Sequence, residues 1–389
     1  MSLPGLVAER RILVTVGPGG VGKTTLAAAL GLQAAVAGRR ALVLTVDPAL
    51  RLAGALGLED VPAGERYQLD AEQLRAAGVP ARTGLAVEML DTAKAWTGTI
   101  EREVADPERR RRILEHPFFR RMSADLAGAR EYAAMEELYH LHLRGGHDLI
   151  VLDTPPTVHG VELLEAPDRV LEVLEHDAYR WLMRPALLAS KLGLRMLNFS
   201  GGYVVRTLSR FTGLDFLKQL AEFVDLFSGL LEGFRQRAAA AKSTLRSPVT
   251  AFVLITTADP SLTREARFLY RRLQQRELAP AAVVVNRQVP MPPEPPAGND
   301  WRAALVERAG RAGFAAERTR AVLDAATWAR DAMAAMATRD RDQIAELRRS
   351  LFGDRDLRAV PLFDSDVHDL GGLERLRRAL FEPGSTEAG

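Results

Sequence analysis

Apolar residues in this chain fall into two kinds of run, and the two kinds alternate. Short runs rich in Val, Ile and Leu read as strands buried on both faces: Ile12–Val16, Ala41–Val46, Leu85–Leu90, Asp148–Leu152, Val249–Thr256, Ala281–Val285 and Ala359–Phe363. Between them lie stretches of helical length and composition: Leu26–Ala37, a charged region from about Thr97 to Leu143, about Ser261 to Arg276, the Ala/Arg-rich residues 300–350, and a C-terminal stretch from Gly372. Strands separated by helices predict an α/β fold, a mostly parallel sheet with helices on both faces. Residues 51–83 are mixed and give no clear element. Pro290–Asn299 reads as a surface loop, and the residues after Pro383 as a frayed tail.

One long stretch breaks the alternation. From about Val161 to Leu245 the chain is helix-rich and unusually apolar. Phe216, Leu220, Phe223, Phe227, Leu230 and Phe234 recur at spacings of 4, 3, 4, 3 and 4, one stripe of a helix. Tyr179–Met183 and Leu187–Phe199 add more apolar surface. Either these helices cover each other and the sheet, or helices 179–234 offer an apolar groove to a protein client or partner helix. The chain thus divides into a first core part, 1–160, with a helical insertion at about 97–143; an apolar α-helical subdomain, 161–247; and a second core part, 248–389.

Composition narrows the functional classes. The 389 residues are 47% hydrophobic and 26% charged, as in a globular protein. With 52 basic and 50 acidic residues the net charge is +2, which gives no reason to expect nucleic acid as a partner. The absence of cysteine excludes disulfides, thiolate zinc sites and thiol sites for a metalloid. The leading MSLPGLVAER has neither the basic start nor the apolar core of a signal peptide. No run of 18 or more apolar residues suggests a membrane span, so the expected location is cytoplasmic.

The chemistry is concentrated where the first strand ends. Arg10–Thr25 reads RRILVTVGPGGVGKTT, a β-branched run that breaks into glycines and then into a helix. The spacing G-x-x-x-x-G-K-T falls on Gly17, Gly22, Lys23 and Thr24, a P-loop in the strand-to-helix position it requires. Backbone N–H groups of Gly19, Gly20, Val21, Gly22 and the helix start, including Thr25, converge on a phosphate with the helix dipole behind them. Lys23 reaches the β/γ-phosphates and the Thr24 hydroxyl serves Mg2+. Lysine occurs at only five positions, with arginine supplying nearly all other basic charge, and one of the five is here. The strand at 148–152 ends in Asp153, a Walker B arrangement that sets a carboxylate near the metal's water shell. The basic run Arg109–Arg112 reads as a solvated face, with an acidic partner or lipid headgroup as the sharper alternative.

These segments together resemble the ArsA-type ATPases, the family of the arsenite-pump ATPase and the tail-anchored-protein-targeting ATPase, over about residues 10–380. GPGGVGKTT resembles the family's deviant P-loop GKGGVGKTT. TVDPAL resembles switch I, LDTPPTVHG resembles switch II, VVVNR the strand whose Asn reads adenine, and AVPLFDSDVHDL the loop that covers adenine. The resemblance is to a bacterial branch with a single ATPase domain. It implies ATP and Mg2+ as cofactors, and Asp47 as the catalytic carboxylate that orients or deprotonates the attacking water. It also implies Asp153 and His159 in switch II, Asn286 on adenine with Pro361 beside it, and Thr24, Asp47 and Asp153 around Mg2+, the carboxylates through water. A homodimer, or a heterodimer with a related ATPase, is implied as well.

Departures from the family pattern are equally specific. Pro18 stands where the family has a signature lysine that crosses the dimer to the partner's nucleotide, and proline supplies neither charge nor N–H. Arg51 and Arg130 are candidates to replace it. Leu50 replaces the usual His after DPA, and the paired-cysteine zinc clasp is missing. The leading expectation is an ATP hydrolase whose dimer opens and closes to act on a protein client, with a membrane-protein segment as one candidate. The alternatives are a partition- or positioning-type regulatory ATPase, which lacks the apolar insertion, and a nucleotide-binding scaffold with little hydrolysis, for which Pro18 is the best support.

Overall fold

In a computed structural model the described residues are 1–46, 51–58, 62–125, 128–175, 219, 222–223, 225–295, 300–353 and 355–382. Their strands form one sheet: β1 (Ile12–Val16), β2 (Ala41–Thr45), β3 (Arg66–Leu69), β4 (Leu85–Met89), β5 (Leu149–Asp153), β6 (Thr250–Thr257), β7 (Ala282–Gln288) and β8 (Asp356–Pro361). The order across it is β3-β4-β2-β5-β1-β6-β7-β8. All pairings are parallel except that of the edge strand β3, which runs antiparallel to β4. The mostly parallel α/β sheet is the one the alternating runs predict. β3 escaped that reading because Leu69 is its one buried residue. An antiparallel edge tolerates such polarity, and Arg66 there pairs with Glu88 at 2.8 Å.

Described helices are α1 (Leu3–Glu9), α2 (Lys23–Val36), α3 (Arg51–Ala55), α4 (Ala71–Ala76), α5 (Thr92–Glu103), α6 (Pro107–Glu115) and α7 (Pro117–Asp125). After them come α8 (Ala129–Arg144), α9 (Thr157–Glu175), α10 (Leu231–Arg246), α11 (Pro260–Gln275), α12 (Asp300–Arg311), α13 (Ala316–Leu347) and α14 (Leu370–Phe381). Several starts follow from local chemistry. Asp106 and Asp259 each cap a helix whose first residue is proline, where the missing N–H costs nothing. The charged region 97–143 resolves into α5 to α8.

The pleat sorts the core into two layers. Leu13, Val43, Val87, Val151, Val253 and Val284 face α1, α2, α4 and α14. Ile12, Val14, Leu44, Leu152, Leu254 and Val285 face α5 to α11. What is described of the apolar stretch lies in this second layer. Phe227, Leu230 and Phe234 are buried, and Phe227 stacks on Phe234 at 5.7 Å and lies 4.8 Å from Phe223. Trp96, Phe119 and Tyr132 complete the aromatic cluster. At 226–234 the stripe is therefore core, and the groove reading fails there. Helices enough to cover it are already present. Phe216, Leu220 and 179–218 lie outside the described residues.

The basic run divides: Arg111 and Arg112 are exposed, as a solvated face predicts, while Arg109 and Arg110 are half-buried. Arg109 donates to the Leu226 carbonyl at 2.7 Å and Arg110 to that of Val104 at 2.9 Å. Arg111 bridges Glu108 and Glu115, and Arg112 pairs with Glu222 at 2.7 Å. The contacts of Arg109, Arg110 and Arg112 tie α6 to residues outside it, whereas those of Arg111 stay within the helix. The hairpin α12–α13 lies over the β7–β8 side and carries exposed Trp328, Val322 and Met336. Among the described residues no helix is long and apolar enough to cross a membrane.

Candidate functional site

β1 lies between β5 and β6, so the crevice at its C-terminal end is flanked by connections that leave in opposite directions along the sheet. Such a switch point is where open parallel sheets bind ligands. β1 enters the loop at Gly17. A Cβ there would lie 2.1 Å from the Ile255 carbonyl oxygen, so only glycine lets the loop leave β1 against β6. Pro18 follows and is buried. Its carbonyl accepts a hydrogen bond from Lys23 Nζ at 2.8 Å, which folds the lysine back across the loop. Gly19 and Gly20 are exposed. Val21 is buried beneath them, and Gly22, at φ +87°, turns the chain into α2. No described side chain caps that helix start. Its first N–H groups therefore point at the crevice with the helix dipole behind them.

Asp153 sits at the centre of the site. It is fully buried. Parallel register places Thr15 of β1 and Thr45 of β2 directly beside it, one on each side. Thr45 Oγ1 donates to Oδ2 at 2.9 Å, Thr15 Oγ1 to Oδ1 at 3.3 Å, and Thr24 Oγ1, from α2, to Oδ2 at 2.6 Å. Burial pushes the Asp153 carboxyl above its ordinary value, and the hydroxyls together with the Lys23 charge oppose that rise. Thr154 locks the next step of the chain by donating to the Thr15 carbonyl at 2.7 Å. The Thr24 hydroxyl has one hydrogen and gives it to Asp153, so its lone pairs face the crevice.

The other wall comes from β7. Asn286 is 8% exposed, and its Nδ2 donates to the Val21 carbonyl at 2.8 Å. In an unbroken pleat the next side chain would point to the opposite face of the sheet. Here the β7–β8 register shifts between Val285 and Gln288, and Arg287 has φ +57°. A bulge of this kind re-aims a side chain. Arg287 Nη1 consequently reaches the Gly20 carbonyl at 3.1 Å, so two consecutive residues hold one loop. Between these walls lies a cavity of about 320 Å3. Gly20, Gly22, Lys23, Thr24 and Thr25 form its floor. Gly54 and Ala55 of α3, Thr154, Pro156, Arg287, Val367 and His368 form its sides.

A triphosphate fits the glycine cradle, because nothing lies within 4 Å of where a Gly20 Cβ would be and a side chain there would occupy the floor. A divalent cation fits the donor set more narrowly. Among the described residues no group of three or more His, Asp or Glu converges on one point. An ion here therefore depends on the Thr24 hydroxyl, on Asp153 behind it and on phosphate oxygens, which is how Mg2+ is commonly held.

The site thus brings together Gly19, Gly20, Val21, Gly22, Lys23, Thr24, Thr25, Asp153 and Asn286. Asp47 lies outside the described residues, as do the side chains of Arg51 and His159, the latter in the first turn of α9. Arg130 is exposed at the start of α8. Pro361 ends β8, and Val367 and His368, rather than Pro361, wall the cavity. Thr15, Thr45, Thr154 and Arg287 were missed. A signal existed for the first two, since a threonine inside a wholly apolar strand needs a hydrogen-bond partner. None existed for Arg287, whose aim depends on the bulge.

Comparison with known proteins agrees with this geometry. The family model for the anion-transporting ATPases matches residues 10–304. A provisionally named arsenical pump-driving ATPase 1 of Aquifex aeolicus is 26% identical over 290 residues, 72% of this chain and 64% of the relative. An uncharacterized protein of Streptomyces coelicolor is 28% identical over 280 residues, 72% of this chain and 63% of its own length. The ATPase GET3 of Malassezia globosa is 24% identical over 278 residues, 71% and 72% of the two chains. The matches thus span under two thirds of the first two relatives.

Proposed function

The chain belongs to the anion-transporting ATPase family, of ArsA and GET3 type, and on that premise we propose that it binds ATP with Mg2+ in the β1 crevice and hydrolyses it to ADP and phosphate. The observation that carries this reading is Thr24 Oγ1 on Asp153 Oδ2 at 2.6 Å, at the edge of an uncapped helix start and a glycine cradle. In this reading the backbone of Gly19–Gly22 and the first turn of α2 hold the phosphates. Lys23 releases the Pro18 carbonyl to bind the β/γ-phosphate oxygens. Asp153 keeps the Thr24 hydroxyl turned toward the metal, and Asn286 holds the loop while meeting the adenine side. Mg2+ would neutralise phosphate charge as the bond to the leaving group breaks. Asp47 orients the attacking water and takes its proton.

We place the work of this cycle in a dimer, with itself or with a related ATPase, in the cytoplasm. ATP-driven closing and opening there would act on a protein client, with 179–218 as the segment that meets it. Supporting this is the direct path from Asp153 through Thr154–Pro156 into α9, which packs beside α8 and α10. Phosphate release measured for the wild type, Lys23→Ala and Asp47→Asn tests the reading. Asp47→Asn is expected to bind Mg-ATP and turn over at least about 100-fold more slowly. Wild-type turnover in that variant removes Asp47 from the chemistry. No ATP-dependent phosphate from the wild type overturns the hydrolase and leaves a nucleotide-binding scaffold. Gel filtration with and without ATP tests the dimer.

A further inference from the structure

We infer that Arg287 is a second phosphate-binding cation of this site, acting within its own subunit. The inference rests on the ATP-binding reading above and names a residue for it. Three observations converge. Arg287 lines the same cavity as Lys23 and Thr24. Its backbone is held at φ +57°, in the left-handed region that a long side chain avoids at a cost of about 1 kcal/mol or more, and such strain collects at ligand clamps. The register shift beside it turns it to the P-loop side, where it holds the Gly20 carbonyl at 3.1 Å.

Charge makes the case specific. A triphosphate with one Mg2+ keeps net negative charge after Lys23 has bound. Position 18 supplies no cation, since Pro18 is buried and its carbonyl already accepts Lys23. Arginine and lysine at the cavity wall number just two among the described residues, Lys23 and Arg287, with His368 as the further titratable group. A guanidinium has five N–H donors in its plane, and one bond to Gly20 leaves the others free for phosphate oxygens. No described carboxylate pairs with Arg287, so its charge is not already neutralised by the fold.

Calorimetric binding of ATP, ADP and AMP to the full chain with Mg2+ tests this in the wild type, Arg287→Gln and Arg287→Lys. Gln keeps an N–H for the Gly20 carbonyl and loses the charge; Lys keeps the charge. The expected result is ATP binding about 10- to 100-fold weaker in Gln, a smaller loss for ADP, little for AMP, and Lys within about fivefold of wild type for all three. Equal ATP affinity in Gln and wild type, or equal losses in Gln and Lys, overturns the inference and leaves Arg287 as a brace of the loop. Thermal unfolding of each ligand-free variant checks the fold. Arg287→Gly, which relieves the positive φ, replaces Gln if Gln does not fold, with the same expected loss. A wild type that binds no ATP would defeat the broader reading instead, so the two failures are distinguishable.

Discussion

Gly22→Ala is the substitution whose consequence the geometry determines most fully. A Cβ on residue 22 would lie 2.5 Å from Asn286 Nδ2 and 3.8 Å from its Cγ, while the backbone keeps φ +87°. The positive φ alone costs an alanine about 1–2 kcal/mol. Displacing Asn286 breaks its bond to the Val21 carbonyl, and a buried acceptor left without a partner costs about 1–3 kcal/mol. The total is about 2–5 kcal/mol, read from urea unfolding of the ligand-free protein. Asn286→Ala separates the two terms, because it removes the atom that clashes. In that background Gly22→Ala is expected to cost the φ term alone. The double-mutant cycle then shows a coupling of about 1–3 kcal/mol, with the pair less damaging than the sum. Effects that add within about 0.5 kcal/mol would refute the contact. ATP affinity is expected to fall in each single variant as the loop loses its brace.

Other expectations are simpler. Lys23→Ala is expected to lose about 100-fold in ATP affinity by calorimetry, with unchanged affinity removing Lys23 from the phosphate site. Burial raises the Asp153 carboxyl, so the stability it contributes is present below its ordinary value of 3.8 and is lost as pH rises through the raised one. Asp153→Asn is therefore expected to unfold at a higher temperature than wild type near neutral pH, by an amount that shrinks toward pH 4, while losing Mg-ATP stabilisation; a gap that grows on acidification would reverse the argument. Phe227→Ala is expected to cost about 3–5 kcal/mol in denaturant unfolding, because Phe227 is buried against Phe223 and Phe234; a loss under about 1 kcal/mol would return the stripe to the surface.

How much of this was legible in the sequence follows from what each feature depends on. Six strands and their parallel arrangement could be read because burial on both faces demands an unbroken apolar run, whereas β8, an edge strand with just Leu357 and Val360 buried, begins at Asp356, three residues before the expected Ala359. β3 was illegible for the same reason, since an edge strand has one partner and tolerates Arg66 and Gln68 toward solvent. The P-loop could be read residue by residue because its chemistry is local. Asp153 was recognisable as the end of a strand. Its partners Thr15 and Thr45 were not, for they come from β1 and β2 and meet it only through register. The aromatic stripe was visible as a stripe, but periodicity cannot say what lies opposite it. Trp96, Phe119 and Tyr132 do, from segments about 100 to 140 residues away. Arg287 depends on one bulge, and a bulge leaves no mark in composition or period.

A buried carboxylate is a poor way to stabilise a fold, since the environment opposes its charge and an apolar group of similar size would pack at lower cost. Asp153 therefore has another use. Thr15 and Thr45 hold it from the strands on either side, and neither lines the cavity; among the described residues Thr24 joins it to the crevice. Among the described residues Thr24 is thus the one hydroxyl that joins the cavity to Asp153 directly, with the Lys23 charge acting on it through space. Positive charge gathered at the Thr24 lone pairs would lower the carboxyl's proton affinity, and by reciprocity a deprotonated Asp153 would strengthen binding of that charge. The same residue ends β5 and begins Thr154–Pro156, which Thr154 pins to β1 and which feeds α9 on the far layer. A single costly charge thereby stands at the start of the covalent path from the crevice to α9.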